Sequence, residues 1–314
     1  MELFEANRIL RTVKAAIAAD GYKLPSSAET DGLMMLLGKL DPEKYLSPKI
    51  KHARTQDQTS QSFYRTKKYV AFFRALQMAQ TDLPNPITAM SVMLLHKALF
   101  GDFDRNAGRL RTDDVSTNGN AHTDPKYIAG LFKSIIAKMN DIGSAPSTSR
   151  EDFAGYLSHY MRELLILHPF EHGSEFTTRI FIILFCKIKG FTLVLSRVPF
   201  SSITSAENAA FTQDDVTPLF RLFAECLSYD HKTETVKRVA PRTRREIAKD
   251  LCHPPRAVQA PAPTESKQAK SVKKSNGLTD DEVLKRAIRL QQKISKLNEQ
   301  LTELIQPLES SDEK

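Results

Sequence analysis

The chain has few cysteines and no long apolar run. Three cysteines in 314 residues, Cys186, Cys226 and Cys252, are odd in number and widely spaced, so no disulfide framework is expected and a reducing compartment suits them. No stretch of 18 residues is continuously apolar, which argues against a membrane-spanning helix. The first twenty residues, MELFEANRILRTVKAAIAAD, lack the apolar centre and small-residue cleavage site of a signal peptide. A cytoplasmic chain fits these absences, as does an effector secreted without a cleaved signal. What is present is ample core material, 41% hydrophobic, and a net charge of +8 concentrated towards the C-terminal third. Cys186, inside FIILFCKIKGF, reads as a small core residue.

Apolar residues recur at helical spacing over 62–80, 87–100, 124–141, 151–167, 177–190 and 217–229. Residues 1–40 read as two short helices with Ser27 or Thr30 capping the second, and 43–60 as polar and irregular. Asn118-Gly119 within RTDDVSTNGNAHTD is a two-residue turn signal, because a type I′ hairpin needs positive φ at both positions. Residues 236–277 turn basic and then rich in Pro, Ala, Ser and Lys, the composition of a disordered linker. Its opening, from Lys237 to Arg256, is a candidate contact for nucleic-acid phosphates, against the plainer reading of a solvated flank. Beyond it Val283, Ala287, Leu290, Ile294, Leu297, Leu301, Leu304 and Leu308 alternate by fours and threes, predicting a coiled coil over 278–309 and a homodimer.

Residues 168–179, HPFEHGSEFTTR, carry the chemistry. They resemble the loop of the Fic (Fido-fold) family, H-P-F-x-[DE]-G-N-G-R-x-x-R. The segment 94–112 (LLHKALFGDFDRNAGRLRT) and the predicted hairpin after it are similar to two further family segments, in the right order. The resemblance implies an all-α bundle with one β-hairpin flap. It implies a domain over 61–235 behind a helical extension over 1–60, and transfer of AMP from ATP to protein hydroxyls, with Mg²⁺. It places the catalytic base at His168, phosphate contacts at Gly173, Ser174 and Arg179, and the target protein at the flap between Thr112 and Thr123.

The loop departs from the pattern where the chemistry is most demanding. His172 stands where an Asp or Glu would hold Mg²⁺, and imidazole is a poor ligand for a hard cation. Ser174, Glu175 and Phe176 replace Asn, Gly and the first Arg. Glu175 sets a negative charge where phosphates would sit, and local physics gives it a plain alternative role. Ser174 can cap the helix, and Glu175 suits its positive end and an i,i+4 pair with Arg179. These changes predict a non-AMPylating binding or regulatory module without a bound cofactor. The alternative is an active transferase of AMP or a related group, using ATP and Mg²⁺. His168-Pro-Phe-Glu-His172 also spells a zinc-peptidase order, but Pro169 and Gly173 oppose the helix that motif needs, so no metal is expected.

In 45–56, YLSPKIKHARTQ, the order resembles the family's inhibitory segment [ST]-x-x-x-E-[GN], whose Glu pairs with the last Arg of the loop. Ser47 is kept, and Lys51 and His52 replace the final pair. Two placements follow. Lys51 faces Glu175 across the old pocket and closes it, or 43–60 is a surface loop with Lys51 solvated.

Overall fold

The computed structural model describes residues 1–145 and 147–229. The linker, the coiled coil, the basic run at Lys237 to Arg256 and the dimer expected from them lie outside the described residues. Within those residues the chain is helical: α1 (Leu3–Ala18), α2 (Ser27–Leu36), α3 (Pro42–Arg54), α4 (Gln61–Ala79), α5 (Ala89–Phe100), α6 (Pro125–Asn140), α7 (Arg150–Leu167), α8 (Ser174–Ile188), α9 (Phe200–Thr212) and α10 (Thr217–Cys226). No described helix is long and apolar enough to cross a membrane.

Local chemistry sets most boundaries. Asp41, Ser60, Thr88, Asp124 and Ser149 cap α3, α4, α5, α6 and α7 through their side chains, and Thr88 and Ser91 close a reciprocal capping box. The α2 start is different. Ser26 is its N-cap and makes no side-chain cap, so neither Ser27 nor Thr30 caps it as expected. The flap follows its turn signal. β1 (Ser116–Thr117) pairs antiparallel with β2 (Asn120–Ala121), and Asn118 and Gly119 both hold positive φ, 53° and 79°.

Two expectations need correction. Residues 42–54 form a helix, not an irregular stretch. Leu46, Ile50 and Ala53 are its buried stripe, at i, i+4 and i+7, and α3 packs on α4. Its polar composition and the internal Pro48 masked that period. The last helix ends at Cys226, three residues early, because Leu227–Tyr229 forms a strand (β4) beside Phe191–Leu193 (β3). That second two-stranded sheet had no turn signal, since a 3-10 turn and two helices separate its strands.

α8 crosses the centre of the bundle. Phe176, Ile180, Phe181, Ile182, Leu184 and Phe185 are all at most 2% exposed, so it is apolar nearly all round, as a central helix must be. It contacts α1, α4, α5, α7 and β3. The loop leading into its N-terminus is the candidate site.

Candidate functional site

The loop is built from a helix end, a turn and a helix start. His168 ends α7 in a left-handed conformation, φ 43°, and is buried. Phe170 then drops into the core, stacked on the His96 imidazole at 3.9 Å with rings 5° apart. Gly173 turns the chain into α8 with φ 72°, and a Cβ there would meet the Phe100 ring at 2.4 Å. Only glycine fits that conformation against that neighbour. Ser174 Oγ accepts a hydrogen bond from the Phe170 N–H, 3.2 Å, so the hydroxyl ties the loop to itself. Gly173 is the N-cap of α8, which corrects the expectation that Ser174 caps it.

Two side chains outside the loop hold it in place. His96 Nδ1 accepts from the Gly108 N–H, 2.8 Å, which leaves Nε2 to donate to the His172 carbonyl, 2.8 Å. Arg111 is buried and donates to four carbonyls. Its Nε reaches His168 O at 2.7 Å, and its Nη atoms reach Leu167 O, Asp113 O and Thr123 O. It thereby joins both arms of the flap to the end of α7. No carboxylate pairs with it within salt-bridge distance among the described residues.

The flap is also fixed from its far arm. His122 Nδ1 donates to Leu165 O, 3.1 Å, and its Nε2 accepts from the Thr117 hydroxyl, 2.8 Å. The His122 ring stacks on Phe211 of α9 at 4.4 Å and leans on His168 at 4.2 Å. Burial holds His168 down to a pKa of about 4, helped by the nearby Arg111 charge, and the same burial brings His122 and His96 to about 4. All three are neutral at pH 7. His168 keeps a lone pair for a proton, but such a low pKa makes it a feeble base.

Arg179 carries the largest surprise. Its buried guanidinium forms a two-pronged pair with Glu207 of α9, Nε to Oε1 at 2.7 Å and Nη2 to Oε2 at 2.5 Å. Its remaining nitrogen donates to Asp20, just past α1, and to Ala16 O at 3.1 Å. Asp20 is bound in turn by Lys68 of α4 at 2.5 Å. Burial opposes ionisation of Asp20, but Arg179 and Lys68 outweigh it and hold the carboxyl below the usual range. Glu175 does not pair with Arg179 as expected. Its nearest ion contact is His168 Nδ1, at 3.5 Å.

Ser47 and Lys51 lie on α3, and neither lines this cleft. Lys51 is exposed and makes no ion pair with Glu175 or with Glu171, whose contact is His172 at 3.8 Å. The proposed Lys51–Glu175 closure is not formed, because α3 packs on α4 instead of reaching the loop. Nor do His168 and His172 share a helix face, since α7 stops at Leu167. No metal-holding group of three ligands occurs among the described residues.

The result is a cleft of about 320 Å³ between the loop, the flap, α1, α4 and α9. Its charged lining is Asp20, Glu175 and Glu207 against Lys68 and Arg179, three negative and two positive, so one negative charge in excess.

Residues 86–186 match the model of the Fic/DOC family. This chain carries a Fic-family domain. Protein adenylyltransferase VbhT of Bartonella schoenbuchensis is 25% identical over 142 residues, 45% of this chain and 30% of VbhT. The probable protein adenylyltransferase Fic of Salmonella typhimurium is 26% identical over 140 residues, 45% of this chain and 70% of its own length. The chain thus spans less than a third of VbhT. Among solved structures, the BepC protein of Bartonella tribocorum with bound AMPPNP aligns at a TM-score of 0.47 and 18% identity, over 53% of this chain and 87% of BepC.

Beyond the matched residues, Glu207-Asn208 carries the Glu-[Gly/Asn] step that was sought at 51–52, with Ile203 where that pattern has Ser or Thr. It was the one sequence signal that could have located Glu207. Asp20, Lys68 and His122 had none.

Two measurements check this geometry. Glu207→Ala leaves the Arg179 charge buried with only Asp20 opposite, and urea unfolding should show a loss of about 3–5 kcal/mol. A loss below about 1 kcal/mol would mean that the pair is solvated. The histidines set a pH slope. In an unfolded chain each titrates near 6.5, while in the fold His96, His122 and His168 wait until about 4. Between those values the unfolded state binds protons the fold refuses, so stability is full above pH ~6.5 and falls on acidification towards ~4. Urea midpoints should drop from pH ~7 to ~5, and less steeply in His96→Gln. A flat profile would contradict the burial of these rings.

Proposed function

We propose that this chain is a Fic-domain binding or regulatory module that does not transfer AMP, and that its partner protein docks at the flap between Thr112 and Thr123. The observation that carries this is the state of Arg179. The cation that the loop should turn towards phosphate is instead bound on every side by Glu207, Asp20 and a backbone carbonyl.

The remaining residues do not fit Mg²⁺-ATP. Phe176, at the position of the first Arg, is fully buried against Phe100, so it offers no cation and could not become one without disrupting the core. His172 is a poor Mg²⁺ ligand. Glu175 stands at the helix start, where backbone N–H groups would otherwise receive a phosphate. A carboxylate about 5 Å from each phosphate charge, at an effective dielectric of about 20, costs roughly 3 kcal/mol per pair. A cleft with one negative charge in excess has nothing to offset that. The flap, by contrast, is a firm edge. Arg111 and His122 anchor both of its arms, and a rigid edge gives a protein partner a preformed surface at low ordering cost.

A second reading is favoured by His168. It is retained at the head of the loop, neutral and packed against His122 of the flap, at the position where the resemblance puts a base for a Ser, Thr or Tyr hydroxyl. On that reading the chain transfers AMP or a related phosphate-linked group, with ATP and Mg²⁺, as the names of its relatives suggest. Incubating the full chain with α-labelled ATP and a cell lysate separates the two. No labelled protein should appear, with wild type and His168→Ala alike. Label that appears with wild type and vanishes with His168→Ala would establish the transferase.

A further inference from the structure

A second opening on the described surface is larger than the Fic cleft. It is a groove of about 930 Å³ on the N-terminal side, walled by the turn after α1, the start of α2, one face of α3 and the start of α4. Its lining is chemically one-sided. Lys23, Lys49 and Arg65 border it, with His52 beside them, and no Asp or Glu does. None of Lys23, Lys49 and Arg65 lies within salt-bridge distance of a carboxylate among the described residues, although most other clefts of this chain pair their cations. Lys49 rests its ammonium on the Tyr45 ring at 4.1 Å, a contact that fixes the side chain without neutralising it.

The neutral groups point the same way. Ser26 and Ser27 lie exposed at the rim, and the Ser26 hydroxyl caps nothing although it stands at the start of α2. Tyr22 and Tyr69 are buried, and their hydroxyls are engaged with Arg65 O at 2.9 Å and with Tyr45 at 2.6 Å, so they form a fixed floor. Tyr64 is half exposed at the edge, with the Lys68 ammonium 5.7 Å from its ring centre. Three uncompensated cations, free hydroxyl donors and one half-exposed aromatic ring are what a phosphate accompanied by a flat ring requires: charge and donors for the oxygens, a surface for the ring.

We propose that this groove binds a phosphomonoester on a molecule that also presents a flat aromatic ring, with Lys23 and Arg65 holding the phosphate and Tyr64 meeting the ring. A phosphotyrosine side chain, with its phosphate on the ring itself, and a nucleoside monophosphate, with its phosphate on the ribose beside the base, share that pairing. The groove is separate from the Arg179 cleft and shares no lining residue with it, so the proposal stands or falls independently of the function proposed above.

The test is calorimetry on the full chain with phenyl phosphate, a phosphotyrosine peptide and AMP, each beside its unphosphorylated counterpart. Saturable binding should follow the phosphate, weaken with added salt, and fall roughly tenfold or more in the double variant Lys23→Gln/Arg65→Gln. Both side chains are exposed, so the variant should keep the wild-type circular dichroism and unfolding midpoint. Tighter binding of the peptide than of AMP would assign the ligand to a protein, and the reverse to a nucleotide. Binding that is equal for phenol and phenyl phosphate, or unchanged in the double variant, would overturn the proposal, as would no binding at all.

Discussion

One buried charge organises the centre of this molecule. α8 is apolar on almost every side, yet it carries Arg179, only 5% exposed, and its guanidinium is answered by two carboxylates and a backbone carbonyl. Asp20 comes from the end of α1 and Glu207 from α9, and Lys68 of α4 balances the second negative charge. The cluster is neutral, two charges against two, and it draws four helices to one point. Such a network adds little net stability over an apolar core, because desolvation consumes most of the Coulomb attraction. Its effect is on specificity, since each member is costly without the others. The same contacts decide what the cleft above can bind.

The loop and the cluster act together. His96, Gly173 and Arg111 fix the loop backbone. In that loop Glu175 stands at the helix start, Phe176 is packed in the core, and Arg179 is bound by acids. The three neutral histidines add no positive charge. A polyanion entering this cleft would have to displace two carboxylates from a buried guanidinium and face a third.

Local signals were readable in the chain, and distant ones were not. The Asn118-Gly119 turn, the Pro- and Asp-marked helix starts and the His168 to Gly173 loop depend on neighbours within a few positions, and the structure has them as expected. The α3 helix was missed because its stripe of Leu46, Ile50 and Ala53 is thin, and Pro48 interrupts it without breaking it. The pairing of β3 with β4 spans 34 or more residues, beyond any turn rule. At the site, Glu175 and Arg179 have ideal i,i+4 spacing, yet Arg179 turns to partners 28 and 159 residues away. Helical spacing offers only about 0.2–0.5 kcal/mol for such a pair, which a buried two-pronged contact easily exceeds. Charge alone could not say which acid would win.

The central claim is that a sealed Arg179 and a net-negative lining exclude nucleotide from the Fic cleft. Titration calorimetry of the full chain with Mg²⁺-ATP measures this directly. The account predicts no heat of binding at the Fic cleft with affinity tighter than about millimolar, roughly 4 kcal/mol. Micromolar binding that survives Lys23→Gln/Arg65→Gln but is lost with Arg179→Ala would contradict it, because the guanidinium would then be serving phosphate and not its two carboxylates.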